Sequence, residues 1–218
     1  MSKLNLICIF LYFLTFPVYA IDGLKFENIT NKNGLSHNTV RSIMQDKRGF
    51  IWVSTINGLN RYDGREFDVM LPQFNSFSLT ESKIKKAVED NNGRIWILST
   101  SGIVDCYDTH TESFVDYTGK NEARSYLDIL VTRNGDIWLW GTKEGACRIQ
   151  YVNNGLLPTL FDKNNIQTNI VNFVYEDSGN QIWLGTDKEL YKITRDNPEY
   201  YITGDNNLNF QKAEESGR

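Results

Sequence analysis

Several function classes are excluded by what this chain has little of. It holds only two histidines and three cysteines in 218 residues, with no Cys-x-x-Cys. No metal-ligand pattern can be drawn from that set, and no metal or other cofactor is expected. Basic residues are outnumbered, 23 Lys and Arg against 27 Asp and Glu, for a net charge of -4. Nucleic-acid phosphates require clustered Lys and Arg, so no nucleic-acid contact is expected of this segment. Proline is scarce, at four residues. A 3.6-residue apolar period is absent, which argues against a bundle or solenoid of helices. Beyond the first twenty residues no hydrophobic run is long enough to span a membrane.

What is present points to many short strands. Aromatic residues make up 13% of the chain and there are 16 glycines, a profile that suits strands joined by glycine turns. The length allows one large all-β domain. The N-terminus has the form of a targeting segment. Lys3 precedes an apolar run from Leu4 to Phe16, broken only by Asn5, Cys8 and Thr15. Pro17 ends the run, and Val18-Tyr19-Ala20 resembles a small-residue cleavage site. Residues 1–20 are therefore expected to be a secretory signal peptide, with an uncleaved anchor as the alternative. Cys8 lies mid-run, which argues against a lipoprotein anchor. The mature chain would start near Ile21, in the periplasm.

The organising stretch is Asp46-Lys47-Arg48-Gly49-Phe50-Ile51-Trp52-Val53-Ser54-Thr55. A polar turn closed by glycine leads into a β-branched and aromatic strand. Ile56-Asn57-Gly58 turns the chain again, and Leu59 to Tyr62 alternates as a half-buried strand does. The pattern returns as Asp90 to Trp96, Thr132 to Trp138 and Asp177 to Trp183. Thr132 replaces the aspartate in the third copy, and Gly179 sits one place early in the fourth. The tryptophans at 52, 96, 138 and 183 are 44, 42 and 45 residues apart. About four strands per 40 to 45 residues is the spacing of a β-propeller blade. The fold class is therefore all-β: four complete four-stranded blades after a signal peptide. The repeats fall at about 35–74, 79–118, 124–160 and 166–196, after a lead segment at 21–34. The tail, 197–218, is taken as the start of a fifth blade, because Asn209-Phe210 echoes Asn172-Phe173.

Trp52, Trp96, Trp138 and Trp183 are expected to pack between blades. Trp140 falls on the same face as Trp138 by strand alternation and is expected to pack there too. Cys106 and Cys147 sit in strands of different repeats and are expected to be buried free thiols, although an exported chain could form a disulfide.

The opening residues carry a resemblance. Gly34-Leu35-Ser36-His37-Asn38-Thr39-Val40, followed by Gln45 to Trp52 and Gly58-Leu59-Asn60-Arg61-Tyr62-Asp63-Gly64, is similar to the first blade of the two-component-regulator propeller repeats. Asn75-Ser76-Phe77-Ser78-Leu79 resembles that family's link into its second blade. Such repeats form the periplasmic sensor region of hybrid two-component histidine kinases in Bacteroides-type bacteria. The resemblance implies a seven-bladed ring, recognition of oligosaccharides, homodimers in the full-length protein, and an inner-membrane anchor ahead of a kinase core. This chain has no kinase phosphoacceptor motif and no receiver aspartate, so it is not expected to be an enzyme itself. It resembles only the start of such a sensor, truncated before the membrane and kinase parts. The remaining blades would then be partners, with the glycan as ligand. A closed four-bladed ring, a non-functional fragment and an interaction scaffold are the alternatives. A propeller lyase or hydrolase is disfavoured: His37 and His110 occupy unequal positions in different repeats, and no catalytic set is apparent.

With strands running A to D outward, the D–A and B–C loops share one face. That face would carry the candidate ligand contacts His37, Asn38, Asn57, Ser82, Lys83, Ser101, Lys143, Glu144, Thr168 and Asn169. Amide, hydroxyl and charged groups of this kind suit sugar hydroxyls. The Asp-x-x-Gly turns lie on the other face and are read as structural.

Overall fold

The computed structural model describes residues 25–74, 77–117, 125–153, 155–193 and 210–212. The expected signal peptide lies outside the described residues. The chain builds four antiparallel four-stranded sheets. The first contains β1 (Val40–Gln45), β2 (Ile51–Thr55), β3 (Gly58–Tyr62) and β4 (Phe67–Met70); the second contains β5 (Ile84–Glu89), β6 (Arg94–Ser99), β7 (Val104–Asp108) and β8 (Ser113–Phe114). The third contains β9 (Asp128–Val131), β10 (Ile137–Gly141), β11 (Gly145–Val152) and β12 (Gly155–Phe161). The fourth contains β13 (Val171–Glu176), β14 (Ile182–Thr186), β15 (Leu190–Ile193) and β16 (Phe210–Lys212). In each sheet the strands pair in chain order, first to last. The first strands adjoin one another, β1 against β5, β5 against β9 and β9 against β13. The sheets are therefore blades set side by side about an axis lined by their first strands: these are β-propeller blades.

Three apolar layers hold the blades together. The first joins Trp52 and Leu59 of the first sheet to Ile84, Ala87, Ile95 and Ile97 of the second. The next joins Trp96, Leu98 and Cys106 to Ile129, Ile137, Leu139 and Cys147. The last joins Trp138, Trp140 and Phe161 to Val171, Val174, Ile182 and Leu184. Strand alternation explains the layers: Trp52 points to one side of β2 and Val53 to the other. Trp52, Trp96 and Trp138 are each no more than 1% exposed, and burying one indole contributes about 3 kcal/mol. Cys106 and Cys147 are free thiols within one layer. Trp140 is buried, and its indole N–H donates to the Asn172 carbonyl of the next blade at 3.1 Å.

The fourth tryptophan differs. Trp183 is half-buried, flanked across the sheet by Tyr175, which is 58% exposed, and by Lys192, whose ammonium lies 5.7 Å from the ring. The face that carries a tryptophan against a neighbour in the first three blades is uncovered here among the described residues. At the opposite end, the loop ahead of β1 ties itself to the first blade. The Ser36 amide donates to the Asn60 side chain at 2.8 Å, and the Asn60 side-chain amide donates to the Val53 carbonyl at 3.0 Å.

One outer strand departs from the expected layout, and another carries a proline. Phe210–Lys212, assigned above to a fifth blade, pairs with β15 as the outer strand of the fourth sheet. The echo between Asn209-Phe210 and Asn172-Phe173 is short, and strand pairing overrides it. β12 contains Pro158 opposite Ile149. Proline lacks an N–H and is tolerated there because β12 is an edge strand.

Candidate functional site

The turns between first and second strands form one face, and their geometry explains the repeat signature. Asp46 accepts from the amides of Arg48 (3.0 Å) and Phe50 (2.9 Å) with one oxygen, and from the Trp52 indole N–H (2.8 Å) with the other. Asp90 does the same for Asn92, Arg94 and Trp96. Asp177 does so for Gly179, Gln181 and Trp183. These bonds hold the Asp177 carboxyl below the usual carboxylate range, the Trp183 indole contributing most. Each aspartate thus closes the turn and satisfies the indole N–H of its blade's tryptophan, which for Trp52 and Trp96 fills the layer to the next blade. The turn needs a positive φ three residues after the aspartate. Gly49 (93°), Gly93 (73°) and Gly135 (86°) supply it, and in the fourth blade Asn180 takes it at 62°. Asparagine tolerates that region, so the early Gly179 causes no break.

Neighbouring turns are hooked together. The Lys47 amide donates to the Glu89 carboxylate at 2.9 Å, and the Lys47 ammonium donates to the Asp90 carbonyl at 3.0 Å. Arg133 repeats both bonds two junctions on, between the third and fourth blades, to Glu176 and to the Asp177 carbonyl. Burial raises the Glu89 carboxyl above its ordinary range, and the Lys47 bond opposes that. The turn face is a scaffold in these positions.

The candidate ligand residues occupy loops on the other face, grouped at blade junctions. At the first, the Gly58 amide donates to the Ser82 carbonyl at 2.6 Å, placing Asn57 beside Ser82. The Asn57 side chain reaches the Ser36 carbonyl at 3.5 Å, next to His37 and Asn38. His37 Nδ1 accepts from the Thr39 amide at 2.9 Å, and Asn38 accepts from the Asn31 amide at 2.8 Å. At the second blade, the Thr100 amide donates to the Lys83 carbonyl at 2.8 Å, and Ser101 donates to the Glu81 carboxylate at 2.6 Å. At the third junction the Gly145 amide donates to the Asn169 carbonyl at 2.9 Å, setting Lys143 and Glu144 beside Asn169. The Asn169 side chain accepts from the Lys163 amide at 2.9 Å. Thr168 is buried, and its hydroxyl donates to Asp187 at 2.7 Å. Asn38, Asn57, Lys83, Ser101 and Lys143 present exposed side chains, whereas Thr168 is engaged inside the protein. No group of three or more His, Cys, Asp or Glu residues that could hold a metal occurs among the described residues.

A cleft of about 520 Å³ opens on the turn face, where three blades meet. Arg48 comes from the first blade, Arg94, Asp108 and His110 from the second, and Tyr151 from the third. The Arg94 guanidinium lies 4.8 Å above the Tyr151 ring and 3.6 Å from the Asp108 carboxylate. Sequence reasoning placed no site here. Its only local signal is a basic residue beside each of two turn glycines, Arg48 before Gly49 and Arg94 after Gly93.

The blade layers, the aspartate-clasped tryptophans and the hooked turns can be set beside known proteins. Residues 34–57 match the family described as two component regulator propeller. The first blade opens with a two component regulator propeller repeat. The chain is 29% identical to the extracellular domain of a hybrid two component system from B. thetaiotaomicron, with a TM-score of 0.55 over 76% of this chain and 23% of that one. The extracellular domain of a second such system from that bacterium is 22% identical, with a TM-score of 0.55 over 78% of this chain and 30% of that one. A 44-residue stretch is 46% identical to a histidine kinase of Formosa agariphila, covering 20% of this chain and 3% of the kinase. The chain spans less than a third of the length of each of these proteins. A virginiamycin B lyase from Staphylococcus aureus shares the fold at 16% identity, with a TM-score of 0.51 over 78% of this chain and 56% of the lyase. The blades are similar to the extracellular domains of hybrid two component systems.

Proposed function

We propose that these blades are the ligand-recognising part of an extracytoplasmic sensor, and that the ligand is an oligosaccharide. The observation that carries the reading is the repeat match at 34–57 together with the likeness of 76% of the chain to the extracellular domain at 29% identity. The ligand would be held on the face of the B–C and D–A loops by His37, Asn38, Asn57, Ser82, Lys83, Ser101, Lys143, Glu144 and Asn169. Hydroxyl, amide and ammonium groups there supply the donors and acceptors that sugar hydroxyls need. Thr168 would support the Asn169 loop from below. The uncovered Trp183 and Tyr175 face would receive a further blade, giving Trp183 the cover that Trp52, Trp96 and Trp138 already have. Export by residues 1–20 would place the blades in the periplasm, with signalling carried out by membrane and kinase parts of a longer protein.

Isothermal titration calorimetry of the purified chain against a panel of oligosaccharides tests this. Saturable binding of one glycan class, with no change in the glycan, supports the sensor. Cleavage or elimination of a panel member would replace it with an enzyme reading.

A further inference from the structure

The turn-face cleft has no part in glycan recognition as proposed above, and its chemistry differs from that of the loop face. We infer that it is a second binding site, selective for a small molecule bearing an oxyanion. Its two acidic groups are already engaged. One Asp108 oxygen accepts from the amides of His110 and Thr111, at 2.8 and 3.3 Å, and the other lies 3.6 Å from Arg94 Nε. Glu89 accepts from the Lys47 amide at 2.9 Å. Its cationic donors are not exhausted. The Arg48 guanidinium uses one nitrogen to reach the Thr109 carbonyl at 3.1 Å and lies 5.1 Å over the Phe50 ring, and it makes no other hydrogen bond among the described residues. The Arg94 Nε and Nη1 atoms are buried and have no hydrogen-bond partner among the described residues. The His110 ring is exposed and makes no hydrogen bond among the described residues.

The fold does not require these cations. The position of Arg48, two residues after the turn aspartate, is Asn92 in the second blade and Asn134 in the third. The position of Arg94 is Phe50, Asp136 and Gln181 in the other blades. Two guanidinium groups thus meet at the one junction where the neighbouring blade also offers a tyrosine. Gly93 keeps the floor open, because a Cβ there would come within 2.9 Å of His110 Nε2. A guanidinium fork binds carboxylate, sulfate or phosphate with paired hydrogen bonds. Tyr151, 42% exposed, adds a flat wall on which the ring of an organic anion can rest.

Amide chemical shifts of the full chain, titrated with sodium glucuronate, inorganic phosphate and glucose, test the site. The expected result is saturable movement of residues 91–94 and 108–110 with both anions and none with glucose. Removing one charge-assisted contact in Arg48→Gln should weaken anion binding by about tenfold. Both Arg48 and His110 are exposed, so His110→Gln provides a second variant that keeps the fold. If Tyr151→Ala weakens glucuronate and leaves phosphate unchanged, the natural ligand is a ring-bearing acid. If it alters neither, a free inorganic oxyanion is the ligand. Shifts that do not saturate, or full anion affinity in Arg48→Gln and His110→Gln alike, would overturn the inference.

Discussion

Thr132 stands six residues before Trp138 and leaves its indole N–H, buried in the layer between third and fourth blades, without a hydrogen-bond partner among the described residues. In the other three blades an aspartate at that position accepts from the tryptophan. Thr132 keeps only part of the pattern, accepting from the Asp136 amide at 3.1 Å. Thr132→Asp should therefore stabilise the protein by about 1 kcal/mol, by satisfying a buried donor. The melting temperature followed by circular dichroism should rise by about 3 °C. A fall would mean that the Asp136 carboxylate, already paired with Arg148, repels the new charge more than the indole attracts it.

The reverse substitution should be costly. Asp90 is fully buried and accepts three N–H groups, including Trp96. Asp90→Ala leaves these donors unsatisfied and should cost about 3 kcal/mol. Urea denaturation at neutral pH measures it. A loss below about 1 kcal/mol would show that water replaces the carboxylate and that the clasp is dispensable.

Asp177 gives the clasp a pH signature. Its carboxyl is held below the usual carboxylate range, chiefly by the Trp183 indole. A depressed folded-state value means a contribution to stability that is complete above the unfolded value near 3.8 and is lost as pH falls through the lower folded value. The Trp183 indole N–H resonance should stay constant down to that pH and move only below it. In Asp177→Asn that titration should vanish.

Much of this architecture was legible in the sequence, because blades repeat. The tryptophan spacing gave four sheets, and alternation around Trp52, Trp96 and Trp138 gave their buried faces. The outer strands were harder to see. β12 carries a proline, and β16 follows a long connection after β15, so neither shows an alternating pattern next to its partner. The clasp was written in the six-residue interval from Asp46 to Trp52, Asp90 to Trp96 and Asp177 to Trp183, yet an interval does not say which atoms meet. The cleft could not be read at all. Its walls span residues 47 to 151, and only the stacking of three blades brings them together.

The two thiols provide a probe of the middle layer. Burial pushes the Cys106 thiol well above its ordinary range, and Cys147 is buried in the same layer. Neither should react with iodoacetamide at pH 8 in the folded chain. Both should become alkylated together as urea separates the second and third blades, read by mass spectrometry. Alkylation of either under native conditions would mean that this layer opens.

The central claim is that the turns build the blades while the opposite loop face meets the ligand. Chemical-shift mapping with the oligosaccharide that binds in calorimetry tests it most directly. Shifts are expected at residues 36–38, 57, 81–83, 101, 143–144 and 168–169, with the clasps at Asp46, Asp90 and Asp177 undisturbed. Neutral-glycan shifts confined to the turns at 46–49, 90–93 and 132–135 would contradict it.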